Sequence, residues 1–194
     1  MQRILTQEEK KSKERFKQII VGLVLIFIMV LSTLGYSLFN QEENNPSSQG
    51  QEKIVYNEVE FIKTNDFWVT NIEGKQFIFK YNPNETERFN SQLKSIGSYY
   101  DEPLYVSSKN KIAISEIYNN LNDVVQRMQE ACVEGEDCEG NFPTKDCGSN
   151  FMIIKESNMT KITQNKSCVY IEGSSENMIK LTDEFLFKIL GITE

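Results

Sequence analysis

Four cysteines are the residues whose type and spacing carry the most definite chemistry. They follow the pattern C-x5-C-x8-C-x20-C, as Cys132, Cys138, Cys147 and Cys168. Zinc is disfavoured by this spacing and by the absence of histidine, and a thioredoxin-like redox site is disfavoured because there is no C-x-x-C. Four cysteines allow three pairings. We favour Cys132 with Cys138, which closes a small loop, and Cys147 with Cys168, which joins two predicted strand ends.

Acidic residues are concentrated between the first and third cysteines. Four carboxylates fall within six residues there, namely Glu134, Glu136, Asp137 and Glu139. Carboxylate oxygens are ligands that Ca²⁺ accepts, but the segment lacks the D-x-[DN]-x-[DN]-G-x5-E order of a specific calcium loop. The preferred interpretation is a solvated loop, with calcium binding as the weaker alternative. The sequence indicates no other metal site and no cofactor.

The sequence offers little for catalysis. Without histidine there can be no Ser-His, Cys-His or His-metal site, and there is no G-x-S-x-G, S-x-x-K or P-loop pattern. Paired carboxylates remain, because glycoside hydrolysis needs two acids at a fixed separation. The acids available for such a pair are Asp101, Glu102, Glu116 and Glu172. We therefore assign no catalytic residue and keep a surface-tethered hydrolase that uses paired carboxylates as the alternative.

Residues 19–39 predict where the rest of the chain lies relative to a membrane. They are 21 residues without a charge, long enough as a helix to cross a hydrocarbon layer of roughly 30 Å. A buried core helix is disfavoured because apolar residues fill all faces. A cleaved signal peptide is disfavoured because the run is long and its one weak cleavage candidate is Thr33-Leu34-Gly35. We predict an uncleaved transmembrane helix, in contact with the lipid bilayer.

Charge predicts the orientation of this helix. The basic tail of residues 1–18 carries six cations against three acids, a net +3, which leaves −10 for the rest of a chain whose net charge is −7. By the positive-inside rule, the N-terminus is cytoplasmic and the C-terminal domain lies outside the cell membrane. All four cysteines then lie on the oxidising side, where disulfides persist. The acidic outer part disfavours nucleic acid as a partner.

The outer part divides into a linker and a domain. Residues 40–52 are a polar, flexible linker that holds the domain about 20 Å from the bilayer on average. Residues 53–194 have the length of one ordinary domain. A domain tethered this closely is expected to meet partners in or near its own membrane. The function predicted from these features is a non-catalytic binding or envelope-structural protein whose partner is an envelope or membrane protein.

The first half of the domain is predicted to begin with a β-meander. Strands are expected at residues 59–63, 67–72 and 75–81, which are rich in aromatic and β-branched residues and separated by turn residues. Trp68, the only tryptophan, is interpreted as a core residue rather than a stacking platform for a ligand. A weak helical pattern follows at residues 85–96, and then a short strand at residues 103–107.

Two further helices and three strands complete the prediction. A helix is expected from Ile114 to Met128, with Glu116 and Asn120 on its polar side and with Asp123 and Arg127 as an exposed pair four residues apart. The preceding strand, this helix and the apolar run at residues 151–155 would form a parallel crossover unit. Two more strands at residues 160–163 and 168–172 would continue as a meander. A closing helix at residues 176–190 would stop at Gly191.

These elements predict an α+β fold: a transmembrane helix followed by one extracytoplasmic domain of antiparallel or mixed sheet, packed by two or three helices. Three sequons on the outer side are candidates for N-glycosylation, at Asn84, Asn158 and Asn165.

The opening VEFIKTNDFWVT, the Cys-bounded β-meander and the final ILGI resemble single-span archaeal surface proteins of unassigned activity, which carry a Cys-containing extracytoplasmic α+β domain. The resemblance covers residues 57–192. It implies the same single outer domain and supplies no activity.

Overall fold

The structure is a computed structural model that describes residue 29 and residues 51–193, except residues 137 and 139. The predicted tail, nearly all of the predicted transmembrane helix and most of the linker therefore lie outside the described residues. Among the residues that are described, no helix combines the length and the apolar character needed to cross a membrane.

The first sheet is an antiparallel meander of four strands in sequence order, β1 (Lys53–Tyr56), β2 (Val59–Thr64), β3 (Phe67–Ile72) and β4 (Lys75–Phe79). Tight turns set its register. Asn57 and Glu58 both have positive φ angles, 46° and 68°, and so do Glu73 and Gly74, 51° and 80°. Paired positive φ angles suit two-residue hairpins because their twist matches that of the strands. The three predicted strands are confirmed, and β1 is an additional strand.

The second sheet has the strand order β10-β11-β9-β5-β6. Its members are β5 (Pro103–Ser108), β6 (Arg127–Glu130), β9 (Asn150–Glu156), β10 (Lys161–Asn165) and β11 (Cys168–Gly173), while β7 (Cys132–Val133) and β8 (Thr144–Lys145) form a separate parallel pair. The predicted parallel pairing of β5 with β9 is confirmed. The predicted final meander is wrong, because β11 lies parallel to β9 and separates it from β10.

Two α-helices occur in the described part, α1 (Lys111–Leu121) and α2 (Met178–Ile189). The Asn110 side chain caps α1 by accepting the backbone N–H groups of Ile112 and Ala113, each at 3.1 Å. Two sequence predictions are wrong here. The helix expected at residues 85–96 is irregular up to a short 3₁₀ turn, Ile96–Tyr99, and the helix expected to reach Met128 ends at Leu121.

The end of α2 is the stop that the sequence predicts. Gly191 has a φ of 73°, and its N–H donates to the Lys188 carbonyl at 3.1 Å. The N–H of Ile192 donates to the Phe187 carbonyl at 2.9 Å. These two bonds form a Schellman motif, in which a glycine with positive φ satisfies the last carbonyls of a helix.

The main core lies where the meander meets the helices. The Phe187 ring of α2 lies 4.6 Å from the Phe79 ring and 5.8 Å from the Phe61 ring, and all three residues are fully buried. Trp68 is 2% exposed and belongs to the same core, as predicted. This packing attaches α2 to the inner face of the meander, while α2 also packs against α1 and β11.

A smaller core covers the opposite face of the second sheet. It contains Tyr105, Ala131, Phe151, Ile153 and Cys168, with Val133, Cys147 and Tyr170 packed against it. As a result, four consecutive residues of β9, from Phe151 to Ile154, are all buried. A strand buried on both sides is typical of a parallel sheet covered by chain on both faces.

Candidate functional site

Both predicted disulfides are present, with the favoured pairing. Cys132 is bonded to Cys138 and Cys147 to Cys168, with Cα–Cα distances of 5.7 Å and 4.9 Å. The second bond joins the start of β11 to the chain just before β9. We define residues 132–148 as the covering segment. The Cys147–Cys168 bond fastens this segment to the second sheet, and the Cys132–Cys138 bond closes a loop within it.

The structure describes part of the acidic segment that lies between Cys132 and Cys147. Glu136 pairs with Lys155 of β9, with 2.5 Å between Oε1 and Nζ. Asp137 and Glu139 lie outside the described residues, and within the described part no three side chains of the ligating types could hold a metal ion. Calcium binding by Glu134 and its neighbours therefore stays a prediction, and Glu136 has a partner of its own.

The acids proposed as a catalytic pair occupy different surroundings. Asp101 and Glu102 lie in the turn before β5, and Glu172 of β11 pairs with Lys161 of β10 at 3.0 Å. Glu116 of α1 is only 6% exposed, so its predicted place on a solvent-facing side is wrong. Its carboxyl instead meets that of Asp183 on α2, a residue that the sequence analysis does not single out.

Polar side chains from both helices cover the free edge of β4 and the residues just after it. Asn120 of α1, also predicted on a polar face, is 4% exposed. The bonds are Ile78 N–H to Asn120 Oδ1 (2.8 Å), Asn120 Nδ2 to the Ile78 carbonyl (2.7 Å), Lys80 N–H to Glu116 Oε1 (3.2 Å) and Tyr81 N–H to Asp183 Oδ2 (2.8 Å). An edge strand carries backbone groups that must find partners. The helices supply the bonds that a fifth strand would otherwise make.

Burial dominates the electrostatics of the Glu116 and Asp183 pair. Removal from water raises the pKa of Asp183 well above its ordinary value, and the adjacent Glu116 carboxyl raises it further. Burial also raises the pKa of Glu116. Asp183 Oδ1 is buried and accepts no hydrogen bond from the described residues. Two carboxylates side by side in a core repel each other, so the pair is expected to retain one proton between them.

Glu184, the next residue on α2, is fully buried and has its own partners. Its carboxylate accepts from Arg88 Nη1 at 2.6 Å, Thr86 Oγ1 at 2.9 Å and Thr193 Oγ1 at 3.1 Å. Burial raises the pKa of Glu184, while the Thr86 hydrogen bond and the Arg88 charge oppose that shift. These contacts fasten the chain after β4 and the C-terminal residues to α2.

This carboxyl cluster, Glu116, Asp183 and Glu184, resembles catalytic acids only in its raised pKa values. Each carboxyl is buried and already bonded to backbone or hydroxyl groups of the fold. The arrangement therefore joins the meander to the helices. One signal in the sequence could have shown it: Thr182, Asp183 and Glu184 are three consecutive polar residues between apolar residues of the closing helix.

The outer side of the meander exposes apolar side chains, whereas the carboxyl cluster buries polar ones. We define the open face as Val55, Ile62, Phe67, Val69 and Ile78. Ile62 is paired with Val69, and Val69 with Ile78, so three aliphatic side chains line up across β2, β3 and β4. Val55 is 68% exposed, Phe67 43% and Ile78 37%. Large apolar side chains grouped on one sheet face mark an interaction surface.

The surroundings of the open face are polar. Lys53 pairs with Glu60 at 3.3 Å, so these two charges compensate each other. Lys80 Nζ lies 5.1 Å from the centre of the Phe67 ring, close enough for a cation–π contact. Asn71 and Gln76 are paired at the far end of β3 and β4. An apolar centre with a polar rim is the usual anatomy of a protein interface.

The three sequon asparagines, Asn84, Asn158 and Asn165, are all exposed. The Asn84 sequon ends in Thr86, whose hydroxyl is bonded to Glu184. Glycosylation of these sites stays a prediction.

Comparisons of the chain with protein-family models, with curated proteins and with solved structures found no match. The resemblance to archaeal surface proteins therefore stays a prediction from the sequence.

Proposed function

We propose that this chain is a membrane-anchored, disulfide-stabilised extracytoplasmic protein that binds a protein of its own envelope through the open face. The open face carries the proposal, because its apolar side chains lie outside both cores. In an antiparallel sheet that packs on one side only, the outer positions are normally polar. Aliphatic residues at three paired positions therefore favour a surface that is covered by a partner.

The chemistry of the open face favours a protein over a glycan or a lipid surface. Glycan sites commonly use exposed aromatic platforms, and here the tryptophan is buried while Phe67 is the one aromatic residue of the face. Lipid surfaces attract clusters of uncompensated cations, whereas the open face has Lys53 paired with Glu60 and the single ammonium of Lys80 against the Phe67 ring. A flat aliphatic stripe with a polar rim matches a similar stripe on another protein.

The extracytoplasmic location is supported by the two disulfides, which persist in oxidising compartments. The uncharged residues 19–39 and the basic tail before them support a single membrane anchor with a cytoplasmic N-terminus. The alternative hydrolase would need its substrate to reach Glu116 and Asp183. Because both residues are buried and bonded to the fold, the binding function is favoured.

The proposal is tested by site-specific photo-cross-linking of the full chain in intact cells of its source. A photoreactive residue replaces Ile78 on the open face or, as the control, exposed Thr163 of β10. We expect one discrete protein adduct from position 78 and none of that mass from position 163. Adding Val69→Lys to the position 78 chain should abolish the adduct, because a charge then lies in the centre of the face.

Three outcomes would contradict the proposal. These are lipid adducts alone from position 78, the same protein adducts from both positions, and a position 78 adduct that survives Val69→Lys. Membrane extraction of the cells in the same experiment checks the anchor, which predicts that the chain stays with the membrane until detergent is added.

A further inference from the structure

Two cations meet one tyrosine on the side of the second sheet that faces the covering segment. Arg127 Nη2 of β6 donates to the Tyr105 hydroxyl at 3.0 Å. Lys145 Nζ of β8 lies 4.5 Å from the centre of the Tyr105 ring. The apolar periodicity predicts Arg127 on a helix, four residues after Asp123, and that prediction is wrong because α1 ends at Leu121 and Arg127 begins β6.

Both cations lack a carboxylate partner among the described residues. Among the described residues, no carboxylate oxygen lies within ion-pairing distance of the Arg127 or the Lys145 side chain, although this outer domain is rich in acids. Six other cations in the same part of the chain do have carboxylate partners. Two positive charges held against one phenol repel each other unless an anion joins them.

Tyr105 is held in place as a donor. The residue is 4% exposed, and its ring packs edge-on against Phe151 with 6.5 Å between centroids. Its oxygen already accepts the Arg127 bond, so its own proton remains to be donated to a further acceptor. The Arg127 hydrogen bond, followed by the contribution of Lys145, lowers the pKa of the Tyr105 phenol. A more acidic phenol donates a stronger hydrogen bond to an anion.

The disulfides position Lys145. Its strand β8 pairs with β7, which begins at the bonded Cys132, and the Glu134 N–H donates to the Lys145 carbonyl at 3.0 Å. Two residues further on, Cys147 is bonded to Cys168 of the second sheet. Lys145 thus lies between two cross-links, so its backbone is placed before a ligand arrives. Such pre-organisation reduces the entropy that binding would otherwise cost.

A fourth side chain that can donate hydrogen bonds lies on the same face of the sheet. Gln129 is the register partner of Tyr105 on β6, lies on the same face as Arg127 two residues away, and is exposed. The Arg127 guanidinium and the Lys145 ammonium both contact Tyr105, and Gln129 lies on the same face of the sheet. The planar fork of arginine fits the paired oxygens of a carboxylate, a sulfate or a phosphate.

We propose that Arg127, Tyr105 and Lys145, with Gln129 at the rim, form a binding site for an oxyanion group of a ligand. The site is separate from the open face and does not depend on the function proposed for that face. The shared chemistry is a group with at least two anionic oxygens, which a carboxylate, a sulfate or a phosphate supplies.

The test uses the full chain in a nonionic detergent, with ¹³C at the ring Cζ of tyrosine. The Tyr105 signal, assigned with Tyr105→Phe, is followed at pH 7 and constant ionic strength while inorganic phosphate, sulfate or acetate is added. We expect a saturable shift with at least one of the anions. Tightest binding of acetate would indicate a carboxylate ligand, and tightest binding of phosphate or sulfate a tetrahedral oxyanion.

Variants decide whether the shift comes from this site. Arg127→Gln and Lys145→Gln should each raise the half-saturating concentration at least about tenfold, because each removes a charge-assisted hydrogen bond. Lys109→Gln, an equal change of charge at an exposed lysine outside the cluster, should leave it unchanged. Circular dichroism checks that each variant is folded. Equal effects of the three substitutions, or no saturable shift with any of the anions, would overturn the proposal.

Discussion

The two sheets of this domain differ in how their apolar faces are covered. In the second sheet, helices cover one face, and the covering segment with its two disulfides covers the other, so that β9 is buried on both sides. In the meander, the inner face carries Phe61, Trp68 and Phe79 into the main core, while the outer face keeps Val55, Phe67 and Ile78 exposed. Both sheets have apolar residues on both faces, but the described residues cover three of the four faces.

The difference shows what the disulfides do. The covering segment contains only the two-residue strands β7 and β8, which are too short to hold a layer in place through backbone pairing. Cross-links replace the missing secondary structure. Both restrict the unfolded chain, and the Cys147–Cys168 bond also ties the segment to the sheet that carries Phe151 and Ile153. No described segment performs that task for the meander, and its outer face is the surface for which we propose a partner.

The largest expected change in stability comes from a comparison of two variants, each of which places one lysine on a different sheet. Ile153→Lys puts an ammonium on the covered face at a fully buried position and should destabilise the fold by more than about 4 kcal/mol. Ile78→Lys puts it on the open face and should change the unfolding free energy by less than about 1 kcal/mol. Urea unfolding of the full chain in nonionic detergent, followed by the fluorescence of Trp68, measures both values. Similar losses in the two variants would show that the meander is covered after all.

Removal of the disulfides should have the next largest effect. Alanine at Cys147 and Cys168 opens a cross-link between residues 21 apart in sequence and should lower the unfolding free energy by about 3 kcal/mol. Alanine at Cys132 and Cys138, only 6 residues apart, should cost about 2 kcal/mol. Thermal unfolding of the two double variants shows which disulfide stabilises the fold more. Unchanged stability in both double variants would mean that packing alone holds the covering segment in place.

A substitution in the Glu116 and Asp183 pair should change the unfolding free energy least, and it should stabilise the fold rather than destabilise it. Because the folded pKa of Asp183 is raised, the native state binds a proton more tightly than the unfolded chain does. The stability from this proton is present below the ordinary aspartate pKa of about 4 and is lost as the pH rises toward the raised value. Asp183→Asn keeps an acceptor for the Tyr81 N–H and removes the charge, so we expect a gain of about 1 kcal/mol at pH 7 that disappears in acid.

Urea unfolding at several pH values checks this prediction, with Glu172→Gln as the control for a partly exposed carboxyl that forms an ion pair. The control should leave the slope of stability against pH nearly unchanged. An Asp183→Asn variant with the slope of the parent chain would mean that the buried pair does not hold a proton.

Local signals in the sequence predicted much of this fold. The turn residues around Gly74 define the meander, Gly191 ends the closing helix, and the cysteine spacing gave the correct disulfides. The helix expected to reach Met128 shows the limit of periodicity. Val124 and Val125 continue the apolar spacing, but they fill the core from a turn before β6, where the chain is no longer helical.

The buried polar contacts and the open face were harder to predict because they depend on which elements become neighbours. Glu116 and Asn120 look solvent-facing in the sequence, and only the proximity of the β4 edge explains why they are buried. Likewise, Ile62 and Ile78 have the same residue types as core positions. Alternation tells which residues share a face, but it does not tell which face another part of the chain will cover.

Hydroxyl-radical footprinting gives the most direct measurement of the central claim, that a partner covers the open face. Oxidation of Val55 and Phe67 is compared between the purified full chain in detergent and the same chain in intact cells, with Phe142 and Met159 as exposed references away from the meander. A covered face predicts that Val55 and Phe67 are protected several-fold in cells, while the references are oxidised to the same relative extent in both states. Equal oxidation of Val55 and Phe67 in the two states, after scaling to the references, would contradict it.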